Sequence, residues 1–264
     1  MKTVMVHSAE KPVAFLLSGG RTGTVAIAQY FANAYPEMRS VNEPAQPWQM
    51  RIASNMFLAG RLDMQGMEKL LWRWRVREIE RAPIGGYLES NASLWGFGSV
   101  IPQVFPEARI IHVVRDLRAY VRSVINFGSF SGRKAVANIC VPYWIPGRES
   151  RDGPRIRLSG LTVYEQAAWL WTIMNREIAD SCEGESRYDR VRFEDLFRDD
   201  GRGLVRLAEH IGCSPPEAVL RPFAKGAVNA SHGQKVPKWG MLSEGVRDSV
   251  LRIGGSQMAR FGYE

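Results

Sequence analysis

Residues 13–30, VAFLLSGGRTGTVAIAQY, constrain this chain more than any other stretch. An apolar, β-prone run (Val13–Leu17) breaks into Ser18-Gly19-Gly20-Arg21-Thr22-Gly23-Thr24. A helical stretch follows, apolar at Val25, Ala28, Phe31 and Ala32 and stopped by Pro36. Strand, glycine-rich turn and helix N-terminus in that order build an anion site. The glycines let backbone N–H groups turn toward one ligand, and the helix dipole adds partial positive charge. Arg21 and the hydroxyls of Thr22 and Thr24 complete a cradle for a phosphate or sulfate. The Walker A pattern G-x-x-x-x-G-K-[ST] is not met. Thr24 directly follows the last glycine, and the basic residue stands before that glycine.

With 264 residues, 45% of them hydrophobic and 23% charged, one α/β domain with a full core is expected over 1–264. The net charge of +8 calls for a polyanionic partner. Lys and Arg are spread along the chain without a consecutive block, so a small polyanion such as a nucleotide fits at least as well as nucleic acid or an acidic membrane surface. Cys140, Cys182 and Cys213 stand far apart without a C-x-x-C pair, so neither a zinc site nor a disulfide framework is indicated. The N-terminal apolar runs are interrupted by His7, Ser8, Glu10 and Lys11, too broken for a signal peptide. No apolar run reaches membrane-spanning length, and a cytoplasmic setting is expected.

Further along, Arg39–Pro44 reads as a short strand running into a turn. In a parallel α/β sheet the C-terminal strand ends gather at the ligand edge, so Glu43 is placed to accept a proton there. Residues 47–82 read as helical, with Met67, Leu70, Leu71 and Trp74 apolar and Arg73, Arg77 and Arg81 on the opposite stripe. After Pro83 and Gly85-Gly86, a third strand (Gly86–Asn91) brings a second carboxylate, Glu89, toward the same edge. Ile110–Val114 is a buried strand, with Arg115-Asp116 at its C-terminal end and Asp116 capping the next helix. Ser123 stands eight residues after Arg115, about two helical turns on, so both side chains can reach one phosphate. His112, inside that strand, reads as a satisfied core histidine. Helices are expected over Thr162–Ala179, Gly203–Ile211 and Ser243–Phe261. Residues 128–160 lack periodicity and read as a lid loop.

The order GGRTGT resembles the 5′-phosphosulfate loop of sulfotransferases that use 3′-phosphoadenosine 5′-phosphosulfate. FPEARIIHVVRDLRAYVRS resembles the same family's 3′-phosphate motif, with Leu117 where proline is usual. The match is to the bacterial and Golgi-like branch, and it implies a P-loop-like sulfotransferase fold with a central, mostly parallel sheet flanked by helices. By that resemblance Gly19, Gly20, Arg21, Thr22, Gly23 and Thr24 bind the 5′-phosphosulfate, and Arg115 and Ser123 bind the 3′-phosphate. Arg21 also stabilises charge on the bridging oxygen, and Glu43 is the general base with Glu89 second. The histidine base of the cytosolic branch has no counterpart at the end of the third strand. Tyr188–Leu196 looks like the family's YED-L segment, and Phe193 falls where a ring often lies near adenine, although a core phenylalanine is the simpler reading. The C-terminal basic loop adds Lys235 and Lys238 to the 3′-phosphate side, with Trp239 as an anchor. The implied product is 3′,5′-adenosine bisphosphate, no metal is required, and the acceptor is a hydroxyl of a carbohydrate, lipid or small metabolite. Two other readings stay open: a P-loop-type nucleotide kinase and a non-catalytic nucleotide-binding protein.

Overall fold

Strands and helices alternate along the chain in the computed structural model, which describes residues 11–130, 160–197, 201–213 and 236–264. Strand β1 (Val13–Ser18) leads into helix α1 (Thr24–Ala34), then β2 (Arg39–Asn42), α2 (Pro47–Leu58), α3 (Met64–Glu80) and β3 (Tyr87–Ser90). A 3-10 turn (Ala92–Phe97) and short α4 (Ile101–Val104) precede β4 (Arg109–Val114) and α5 (Leu117–Asn126). Helix α6 (Val163–Cys182), β5 (Tyr188–Arg192), short α7 (Phe193–Leu196), α8 (Arg202–Ile211) and α9 (Glu244–Arg260) complete the order.

The sheet runs β2-β3-β1-β4-β5, and every neighbouring pair is parallel. Both its faces are covered, which is why β1 reads as a continuous apolar run rather than an alternation. Val13, Phe15 and Leu17 pack toward α2, α3 and α6, while Ala14 and Leu16 pack toward α1 and α8. Each large side chain buried this way contributes about 1.5–3 kcal/mol of transfer free energy. The direction in which strands are added reverses about β1: α1 carries the chain out to β2, and the connection after β4 goes the other way to β5. The crevice at such a switch point lies outside the C-terminal ends of β1 and β4, where the loop 19–23 and Arg115 are.

Two local expectations are corrected. The stretch 47–82 is two helices, because Gly60 turns the chain at φ 66° and the Asp63 carboxylate then caps α3 by accepting from the Gly66 N–H. The buried stripe of α1 runs through Ala26, Ile27, Ala28, Tyr30 and Phe31, leaving Val25 half-buried and Ala32 exposed. On α3, the core row is Met67, Leu71, Arg75 and Ile79, so an arginine occupies a place on the apolar stripe. The α6 start carries a full capping box between Thr162 and Glu165. Most of the expected lid, residues 131–159, and Lys235 lie outside the described residues.

Among the described residues no helix is long and apolar enough to cross a membrane.

Candidate active site

The loop after β1 takes the strained path its glycines permit. Gly20 and Gly23 have φ of 80° and 71°, and Arg21 joins them at 56°. Gly23 is the N-cap of α1, and a Cβ there would come within 2.8 Å of the Phe197 ring. A Cβ on Gly19 would come within 2.9 Å of Asn175 Nδ2. Tyr120 on α5 donates its hydroxyl proton to Gly19 O (3.1 Å), and the Gly20 N–H donates to Ser18 Oγ (3.1 Å). The loop is thus fixed from both sides before any ligand arrives.

Arg21 crosses from this loop to α5, where its Nε donates to Ser123 Oγ at 3.3 Å and its guanidinium lies 4.2 Å from the Phe127 ring centre. Arg115, at the end of β4, donates from NH1 to Arg21 O at 2.8 Å and stacks 4.4 Å from the Phe193 ring centre. Its own carbonyl accepts from the Trp171 indole N–H at 2.9 Å. Burial lowers the Arg115 pKa from its usual range; Arg21 pushes the same way, and Glu194 opposes. The Arg21 charge, felt by the partly buried Arg115, makes an anion favourable beside them. Thr22 Oγ1 and Arg115 Nε are both buried and have no hydrogen-bond partner among the described residues. These orphaned donors fit the phosphate oxygens of the expected donor nucleotide.

Glu43 follows the edge strand β2, its N–H donating to Ser90 O at 3.0 Å. Its φ is 42°, an uncommon left-handed value for a non-glycine residue. Burial raises its carboxyl pKa; Arg51 pulls it down, and Glu89 adds to the rise. Arg51 on α2 is itself buried, donates to Ser93 Oγ at 3.3 Å and lies 5.1 Å from the Trp48 ring centre.

Glu89, the second expected base, is fully buried and engaged on both oxygens. Arg75 grips it with Nε to Oε2 (2.5 Å) and NH2 to Oε1 (2.9 Å). The Tyr87 hydroxyl donates to Oε2 (2.9 Å) and Asn91 Nδ2 to Oε1 (2.8 Å).

The structure therefore brings together Gly19, Gly20, Arg21, Thr22, Gly23, Arg115 and Ser123, with Thr24 opening α1 beside them. Lys238 stands exposed just before a 3-10 turn (Trp239–Met241). Its segment is tied to α5 on either side of Ser123: Arg122 Nε donates to Val236 O (3.2 Å), and the Val236 N–H donates to Asn126 Oδ1 (2.8 Å). Trp239 is half-buried against the α5–α6–α9 core. His112 is a core residue: its ring nitrogens meet Tyr188 Oη and Asn175 Oδ1, both at 3.0 Å, and burial lowers its pKa to about 3. Phe193 is half-buried rather than core, and faces Arg115. Arg51 and Arg75 were not singled out by the motifs. For Arg75 the signal was present, an arginine in an i, i+4 row with Met67, Leu71 and Ile79.

No protein-family model and no curated protein matches the chain. Solved structures do match in fold. The sulfotransferase domain from the curacin biosynthetic pathway aligns over 96% of this chain and 98% of its own, with TM-score 0.53 and 16% identity. The sulfotransferase domain from the Synechococcus PCC 7002 olefin synthase covers 96% and 95%, with TM-score 0.52 and 19% identity. A sulfotransferase from Alicyclobacillus acidocaldarius covers 95% and 94%, with TM-score 0.53 and 14% identity. The chain has the α/β fold of these bacterial sulfotransferases over nearly its whole length.

Proposed function

We propose that this chain transfers a sulfuryl group from 3′-phosphoadenosine 5′-phosphosulfate to an acceptor hydroxyl. The observation that carries this reading is the junction of Arg21, Arg115 and Ser123 at the β1–β4 crevice, beside the orphaned Thr22 Oγ1 and Arg115 Nε. A buried donor left unpaired costs about 1–3 kcal/mol, which an anionic ligand's oxygens offset. The nucleotide supplies the activated sulfuryl group on a phosphate leaving group.

Gly19–Thr24 hold the 5′ end with loop N–H groups, the Thr22 and Thr24 hydroxyls and Arg21. Arg115 and Ser123 hold the 3′-phosphate, and Lys238 adds positive charge on that side. Glu43 takes the acceptor's proton as the new oxygen–sulfur bond forms and the sulfur–oxygen bond to the phosphate breaks. Arg21 stays beside the bridging oxygen as that oxygen gains negative charge. The raised pKa of Glu43 makes it a stronger base than an ordinary carboxylate. Glu89 is assigned to Arg75, because its two oxygens are already engaged by three side chains. The acceptor is a hydroxyl-bearing carbohydrate, lipid or small metabolite, with no part for nucleic acid.

Sulfur-labelled donor, incubated with a panel of alcohols and with water alone, tests this directly. Wild type should release label to an acceptor, and Arg21→Ala and Glu43→Gln should each lose most of that rate. Transfer at wild-type rates in both variants would contradict the assignment.

A further inference from the structure

Behind Glu43 lies a buried group that the transfer chemistry does not use. Arg75 projects from the core row of α3 and is fully buried. Besides gripping Glu89, it reaches the turn that follows Glu43: NH2 donates to Ala45 O at 3.2 Å and NH1 to Gln46 Oε1 at 3.4 Å. It also donates from NH1 to Trp74 O (3.1 Å) and from NH2 to Met50 Sδ (3.2 Å), so one planar fork joins α3, β3, α2 and the 43–46 turn.

That turn is the most strained backbone outside the glycine loop. Glu43 and Gln46 have φ of 42° and 70°, and together with Arg21 they are the non-glycine residues of positive φ among the described residues. Such conformations persist only where the surroundings over-determine them. The Glu43 N–H is tied to Ser90 O on the sheet side. Arg75 supplies the tie from the core side, and Glu89, itself held by the Tyr87 hydroxyl and Asn91 Nδ2, holds Arg75 in place.

We propose that Arg75 is a positioning residue for Glu43: it fixes the carboxylate's place at the crevice by pinning the strained 43–46 turn, with Glu89 as its counter-ion. This rests on Glu43 being the base. An ion pair that served only stability would be replaceable by packed apolar side chains with little loss of function, since such swaps are often neutral or stabilising. A positioning pair would not be, because a displacement of about 1 Å at the reacting group costs on the order of 100-fold in rate.

The double variant Arg75→Met/Glu89→Met separates these cases, run beside wild type, Glu43→Gln and Gln46→Gly well below their unfolding temperatures. Calorimetry with 3′,5′-adenosine bisphosphate reads the nucleotide site, and labelled donor reads turnover. The double variant should bind the bisphosphate within about 2-fold of wild type while turnover falls on the order of 100-fold. Gln46→Gly removes the Arg75–Gln46 hydrogen bond while leaving the buried Arg75–Glu89 pair in place. It should show the same split to a smaller degree, and it decides the matter if the double variant does not fold. Turnover within about 2-fold of wild type in the folded double variant, or in Gln46→Gly should the double variant not fold, overturns the role of Arg75 while Glu43→Gln stays inactive. Glu43→Gln turning over normally overturns the base assignment itself, and the positioning role with it.

Discussion

Arg21 and Ser123 stand 102 residues apart in sequence, yet Arg21 Nε donates to Ser123 Oγ across 3.3 Å. The contact joins the glycine loop after β1 to α5 after β4, the two strands that flank the switch point of the sheet. Arg115 closes the arrangement by donating to the Arg21 carbonyl. Two stretches that each resemble a phosphate motif in sequence therefore meet in the fold.

Arg115→Ala should weaken 3′,5′-adenosine bisphosphate binding by about 2–5 kcal/mol, the usual cost of truncating one side of a buried charged pair. Arg115→Lys should fall between, because an ammonium keeps the charge but loses the fork and the stacking on Phe193. Calorimetry on the three proteins checks the order.

Glu43→Gln should lower turnover by about 100- to 10,000-fold with little change in nucleotide affinity, the usual contribution of a general base. The acid limb of wild-type turnover should lie above the ordinary carboxylate range, because burial raises the Glu43 pKa. Stability follows the same shift. A raised folded-state pKa gives stability that is full below the unfolded value and is lost as pH rises through the folded one. At neutral pH the ionised Glu43 therefore costs stability, and Glu43→Gln should melt at a higher temperature than wild type.

Gly23→Ala should disrupt the loop, since it combines φ 71° with a contact of 2.8 Å to the Phe197 ring. A cost of about 1–3 kcal/mol from the backbone alone is expected. Thermal melting should show that cost, and nucleotide affinity should fall with it.

His112 makes the opposite pH prediction. Its pKa is lowered to about 3, so its neutral form stabilises the fold fully above about pH 6.5, and that stability drains away as pH falls toward 3. His112→Gln should melt lower at neutral pH and show a shallower loss of stability on acidification. Melting curves across pH 7 to 4 compare the two.

Much of the fold was legible because its signals are local. The apolar run of β1, the glycines after it and the strand Ile110–Val114 each fix an element by neighbouring residues alone, and these elements carry the residues proposed to bind phosphate. Ser123 was legible for the same reason, since two helical turns from Arg115 set its place. The split of 47–82 at Gly60 was missed because a lone glycine inside an apolar pattern is a weak signal until Asp63 is seen to cap α3. The Arg75–Glu89 pair was missed as a pair because nothing local links α3 to β3. Read alone, Glu89 is a carboxylate at a strand end; only packing shows that its oxygens are engaged. Phe127 and Phe193 were not read as site residues for the same reason, since their rings matter through guanidiniums placed by other elements.

The most direct test of the central claim is calorimetry of the wild-type chain, without metal, against 3′,5′-adenosine bisphosphate, ADP and ATP. Arg115 and Ser123 reading a 3′-phosphate predicts that the bisphosphate binds at least about 10-fold tighter than either, a difference of about 1.4 kcal/mol. Preference for ATP, or no binding of the bisphosphate, would contradict it.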